Sequence, residues 1–224
     1  MISSSKVQSP VIYQKKQKNS EIKLLPNKKS VKNNLSNLFV KLSALMAVMV
    51  TISNFLVQYP FNFLGLNNVL TYGAFSYPIT FLITDLANRK YGKNKARKVV
   101  YIGFLLGISL TLFFSTNFND LISIRIAIGS GTAFLVAQLL DVQVFDKLRK
   151  RKWYIAPLAS SLLGSLVDTI LFFFIAFSKT GLPWVSLAGG DFCVKVLIAL
   201  LMLVPFRLLL KKIKDDSEKH LNAI

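Results

Sequence analysis

Six apolar segments of about 20 residues follow one another in this chain, near 38–58, 67–87, 99–117, 121–143, 154–178 and 186–210. A helix rises about 1.5 Å per residue, so each is long enough to cross a hydrocarbon core of about 30 Å. The third and fourth are parted only by the polar run Asn117-Phe118-Asn119-Asp120, and that break makes 99–143 two spans instead of one. The pattern predicts an all-α polytopic membrane protein with six transmembrane helices over residues 38–210.

The loops orient it. Of 28 Lys and Arg residues, 24 lie at the N-terminal tail, in 88–98, in 144–153 or at the C-terminal end. The alternate loops 59–66, 117–120 and 179–185 hold Lys179 only. Basic loops stay on the cytoplasmic side, so both termini are expected there. This segregation explains a formal net charge of +18 beside a hydrophobic content of 53%. A soluble domain carries roughly 25% charged residues, against 17% here. A basic disordered chain would be poor in aromatics, and this one has 18 Phe. Nucleic-acid binding would account for the charge and not for the apolar runs.

Residues 1–37 are rich in Lys, Ser, Asn and Gln, interrupted by Pro10 and Pro26, and read as a disordered basic cytoplasmic tail. They hold no apolar core of the kind a secretory signal needs. Residues 211–224 read as a cytoplasmic C-terminal tail. One Cys (Cys193) and one His (His220) leave no basis for a disulfide framework, a metal site or a His-based dyad. The chain has no phosphate-binding glycine loop and no nucleophile elbow. An enzyme is not expected, and neither is a cofactor.

Polar groups inside the spans are the informative exceptions, because a charge at the bilayer centre costs about 2.5–3.5 kcal/mol on insertion scales. Asp168 stands near the middle of the fifth segment, where it cannot snorkel, and needs either a cation or a ligand. Asp191 and Lys195 are four apart on one face of the sixth. Asp85 lies near the inner end of the second segment, on a face shared with Ala74, Pro78 and Phe81, where Arg89 offers an i, i+4 partner. On the fourth, Ser130 and Asp141 fall within about 20° of each other, Gln138 about 60° away, and Arg125 about 160° from Asp141. Asn54 and Gln58 repeat the four-residue spacing near the outer end of the first. Positive-inside orientation sorts them by depth, with Asn54, Gln58, Arg125, Asp191 and Lys195 outer, Asp168 central, and Asp85 and Asp141 inner. Polar groups at all levels suggest a path or a deep pocket. Gly103 and Gly107 have the spacing of a close helix contact.

The strings Ser53-Asn54-Phe55-Leu56-Val57-Gln58, Gly73-Ala74-Phe75-Ser76-Tyr77-Pro78, Thr84-Asp85-Leu86, Arg125-Ile126-Ala127, Gln138-Leu139-Leu140-Asp141-Val142-Gln143-Val144-Phe145, Asp168-Thr169 and Phe174-Ile175-Ala176-Phe177 carry a resemblance. Over roughly residues 45–205 the chain resembles the queuosine precursor transporter family, also called the vitamin uptake transporter family, and its proteobacterial inner-membrane members in particular. The Lys-rich tail departs from that pattern. The resemblance implies import of 7-cyano-7-deazaguanine and 7-aminomethyl-7-deazaguanine across the cell inner membrane for salvage into tRNA queuosine. It implies a small-molecule substrate and the lipid bilayer as partners, no nucleic acid, and is compatible with a homo-oligomer. The expected ligand or proton-coupling carboxylates are Asp168 and Asp85, with Asn54, Gln58, Arg125, Gln138, Asp141, Asp191 and Lys195 as further candidates and Phe75, Tyr77 or Trp153 as ring-stacking partners. The alternative is a substrate-binding membrane subunit of an importer driven by a separate ATPase.

Overall fold

A computed structural model describes residues 28–63, 70–114 and 120–221, with side chains over 36–211 of these. The described part is helical throughout: α1 (Lys28–Leu56), α2 (Gly73–Tyr91), α3 (Lys93–Phe114), α4 (Leu121–Leu148), α5 (Ile155–Phe177) and α6 (Trp184–Leu221). The expected tail at 1–37 lies outside the described residues as far as 27, and α1 starts at Lys28.

Local chemistry sets the boundaries. The second segment starts later than its apolar run because residues 70–72 fold back on 59–61. Phe61 N–H donates to the Leu70 carbonyl at 2.9 Å, and Tyr72 N–H to the Tyr59 carbonyl at 3.1 Å. Pro60, which fits no helix interior, stands in this bridge opposite Thr71. The basic stretch 88–98, expected as a loop, is two helix ends joined at one residue. Gly92 adopts φ 83°, open to glycine without strain, and its N–H caps the Asn88 carbonyl at 2.8 Å. At the polar break, Asp120 caps α4, its carboxylate accepting the Ile122 and Ser123 N–H groups at 3.2 and 3.0 Å.

Five of the described helices are long and apolar enough to cross a membrane, α1 from Ser36, α3, α4, α5, and α6 to Lys211. The sixth element, α2, falls short on composition, since Ser76, Thr80, Thr84, Asp85 and Asn88 punctuate it and Arg89 and Lys90 stand in its last turn. The reason lies in its position. It packs against each of the other five helices, and all five of those polar residues are buried. Protein surrounds it instead of lipid, so its outward faces need not be apolar.

The outside of the bundle shows the opposite composition. Phe113, Leu121, Leu105, Phe174, Leu197, Val204 and Leu208 stand exposed. Apolar side chains outside and polar ones within fit a hydrocarbon surround. The predicted close contact is present: a Cβ on Gly107 would meet Val50 of α1 at 2.7 Å, so glycine lets α3 lie against α1. Gly164 of α5 does the same for α2, with a Cβ there meeting the Phe81 ring at 2.6 Å.

Candidate functional site

Two buried polar layers cross the bundle, joined through α2 and α5, and are named outer and inner after the orientation that the basic loops predict. In the outer layer, Asp168 of α5 meets the cation its depth demanded. Lys195 Nζ donates to Asp168 Oδ2 at 2.8 Å and to Thr169 Oγ1 at 3.2 Å. It also pairs with Asp191 Oδ2 at 2.6 Å. Thr169 closes the group by donating to Asp191 Oδ2 at 2.8 Å. Asp168, Asp191 and Lys195 are each at most 4% exposed. The i, i+4 pair expected on α6 therefore exists, but its lysine is shared with α5. One ammonium faces two carboxyl groups, which leaves a formal excess of acid.

Tyr77 of α2 bounds this group. Lys195 Nζ lies 5.4 Å from its ring centroid, and its hydroxyl enters a second cluster. The Tyr77 and Ser130 hydroxyls, 2.9 Å apart, both hydrogen-bond Asn54 Oδ1. Asn54 Nδ2 donates onward to Thr111 Oγ1 at 3.1 Å. Gln58, just past the end of α1, donates to the Asn54 backbone carbonyl at 3.3 Å. Val57, Gly73, Tyr77, Asp168, Phe172, Asp191 and Lys195 line a cavity of about 10 Å³, room for about one water molecule.

The inner layer starts two turns along α2. Gln138 Nε2 donates to Thr80 Oγ1 at 2.8 Å and accepts from Thr84. Asp85 does not pair with Arg89. Its carboxyl oxygens accept from Ser160 at 3.2 Å and Ser161 at 3.4 Å, both on α5. Arg89 instead donates to the Arg149 carbonyl at 2.9 Å. The Asp141 carboxyl, fully buried, faces Asp85 and Ser160, and neither of its oxygens has a hydrogen-bond partner of ordinary geometry. Below this layer Arg149 grips the Asn88 carbonyl and, at 2.9 Å, Asn88 Oδ1. Asn88 donates to the Val142 carbonyl at 2.9 Å. This clasp ties the inner ends of α2 and α4 together.

Arg125 stands apart from both layers. Its guanidinium donates to the Ile175 carbonyl at 3.1 and 2.8 Å and to the Ser178 carbonyl at 2.7 Å. It caps the C-terminal end of α5, where free carbonyls and the helix dipole favour a cation. Among the candidate rings only Tyr77 joins the cluster. Phe75 is exposed, and Trp153 lies under Arg207 at 4.9 Å. The pattern left Thr80, Asn88, Thr111 and Ser160 unremarked. The stripe Gly73, Tyr77, Thr80, Thr84, Asn88, spaced by three and four, would have found the α2 members.

An apolar exterior around a buried charged core, with several helices able to span, fits a multi-pass membrane protein. The chain belongs to the vitamin uptake transporter family: residues 71–210 match the family described as "Putative vitamin uptake transporter". It is 36% identical over 207 residues to the queuosine precursor transporter of Escherichia coli, covering 82% of this chain and 92% of that one. A probable queuosine precursor transporter of Haemophilus influenzae is 35% identical over 70% of this chain and 79% of its own length. One of Bacillus subtilis is 29% identical over 66% and 75%. No solved structure matches the chain significantly. It is a transporter.

Proposed function

We propose that this transporter imports 7-deazaguanine precursors of queuosine, the 7-cyano and 7-aminomethyl forms, across the inner membrane. In this reading α2 crosses as well, its 19 residues spanning about 28 Å at 1.5 Å each, which gives six crossings and two cytoplasmic termini. The observation that carries the substrate class is the buried Asp168–Lys195–Asp191 group. A deazaguanine presents adjacent N–H donors on its pyrimidine edge beside the O6 acceptor. A carboxylate takes two such donors at once, and an ammonium donates to O6. The Tyr77 ring beside Lys195 offers a stacking face. The formal excess of acid suits the cationic aminomethyl form. The relatives are named as transporters of a queuosine precursor, which supports this substrate class.

Asp168, Asp191, Lys195 and Tyr77 form the substrate site in this reading, with Asn54 and Ser130 holding Tyr77 in place. The ring system does not fit a cavity of about 10 Å³, so the arrangement is a closed one and the helices separate to load it. The Arg149–Asn88 clasp is the inner barrier. Cells unable to make the precursor, supplied with it outside, should form tRNA queuosine only when they carry this chain. No queuosine under those conditions removes the assignment. Asp168→Asn keeps the shape and loses one charge-assisted bond, about 1.4 kcal/mol or more, so uptake should fall roughly tenfold with insertion intact. Unchanged uptake takes Asp168 out of the site.

A further inference from the structure

The inner layer holds a feature that substrate recognition does not use. Asp85 of α2 and Asp141 of α4 are neighbouring carboxyl groups around Ser160, 2% and 0% exposed. Among the described residues no ion pair joins a Lys or Arg to either carboxyl. Along α2 the next charge, Arg89, is spent on the Arg149 carbonyl. Along α4, Asp146 pairs with Arg149 at 3.8 Å, Arg149 grips Asn88, and Lys147 lies toward the surface. On α5 the facing groups are the hydroxyls of Ser160, Ser161 and Ser165, and on α6 they are Ala199, Met202, Leu203 and Phe206, with Arg207 turned onto Trp153. Two like charges cannot both persist in so dry a place without a counter-ion. A proton is the smallest ligand that removes the conflict.

Two further groups point to a ligand there. Both Asp141 oxygens are buried with no hydrogen-bond partner of ordinary geometry, beside Asp85 and Ser160, a setting that an added proton would satisfy. Ser165 Oγ is likewise buried and unpartnered. It lines, with Asp85, Ser161 and Pro78, a cavity of about 10 Å³, about the volume of one water. Ser165 lies one turn below Asp168 on α5, and Ser161 one turn below that. A column of hydroxyls therefore runs from the carboxyl pair to the substrate site.

We propose that Asp85 and Asp141 form a proton-binding site, connected through Ser161 and Ser165 to Asp168, that couples solute import to inward proton movement. The proton enters from the outer side by way of the substrate layer, is held between the two carboxyls while the clasp is closed, and leaves to the cytoplasm when α2 and α4 part. The proposal rests on the importer reading above and adds its driving ion.

The test uses the full chain in proteoliposomes with labelled 7-cyano-7-deazaguanine. Counterflow, exchange of labelled for unlabelled precursor with no gradient, reports substrate binding and movement. Net uptake with and without an alkaline interior reports coupling. The wild type should show counterflow, and the pH gradient should raise net uptake roughly tenfold. Asp141→Asn should keep counterflow and lose the gradient response. A wild type with counterflow but indifferent to the pH gradient overturns the proton site and leaves the importer standing. So does a sodium gradient that replaces the proton gradient, or an Asp141→Asn variant that still responds. Absence of wild-type counterflow sinks the importer reading, and the coupling with it. Should Asp141→Asn fail to insert, infrared spectra of the intact wild type decide. A protonated-carboxyl stretch at neutral pH supports the site, and carboxylate bands alone overturn it.

Discussion

Lys195 is the one residue whose loss disturbs every charge in the outer layer. Its ammonium sits 2.8 Å from Asp168 and 2.6 Å from Asp191, both shielded from solvent. Lys195→Met keeps most of the length of the side chain and removes the ammonium, which leaves Asp168 and Asp191 without their cation. Breaking a buried pair in this way costs about 3–5 kcal/mol. The variant should therefore melt well below the wild type in detergent, while Asp168→Asn, which keeps a group that can bond Lys195, should melt close to it. Equal melting of the two variants would show that the lysine is not the keystone. That Asp168 and Lys195 matter is visible in the sequence, since a charge in an apolar run has no cheap explanation. That they are each other's partner is not visible. They belong to different helices, and periodicity places a residue on a face without saying which helix that face meets. Asp85 shows the opposite error. The sequence offers Arg89 one turn away, but serines on α5 sit closer to its carboxyl, and the arginine finds a helix-end carbonyl.

At the scale of elements, helix ends and helix surroundings are what the pattern could not express. Arg125 reads as an intramembrane charge in search of a substrate. Its partners are carbonyl groups at the end of α5, and no residue type announces a free carbonyl. Arg125→Ala should cost about 1–2 kcal/mol of stability through the lost cap and charge–dipole contact. Transport per inserted molecule should stay near wild type. A tenfold loss of uptake at normal melting temperature would instead return Arg125 to the substrate path. The case of α2 is related. Hydropathy measures how well a helix tolerates lipid, and α2 touches five helices. Its polar stripe of Thr80, Thr84, Asp85 and Asn88 lowers that measure because the stripe forms the transporter's interior. The helix that packs against all the others is the one with the weakest membrane signature.

For the whole molecule, the role of α2 fixes the topology. If α2 crosses, the N-terminal end of α1 shares a side with Gly92 and the 149–154 turn; if it does not, it stands on the opposite side from them. The distribution of 24 basic residues argues for the first arrangement, because the positive-inside bias would otherwise be split between the two surfaces. It also gives both polar layers their direction, with the Asp168–Lys195 group toward the outside and the Asp85–Asp141 pair and Arg149 clasp toward the cytoplasm. A chain in which Cys193, the single native cysteine, is replaced by Ser allows a direct check. Lys93→Cys and Lys150→Cys should each resist a membrane-impermeant thiol reagent applied to intact cells and react once the cells are opened, while Lys179→Cys should react from outside. Labelling of Lys93→Cys in intact cells would put the Gly92 end of α2 on the outer surface. The inner carboxyl pair would then have no cytoplasmic exit, and the order of substrate layer above proton layer would dissolve with it.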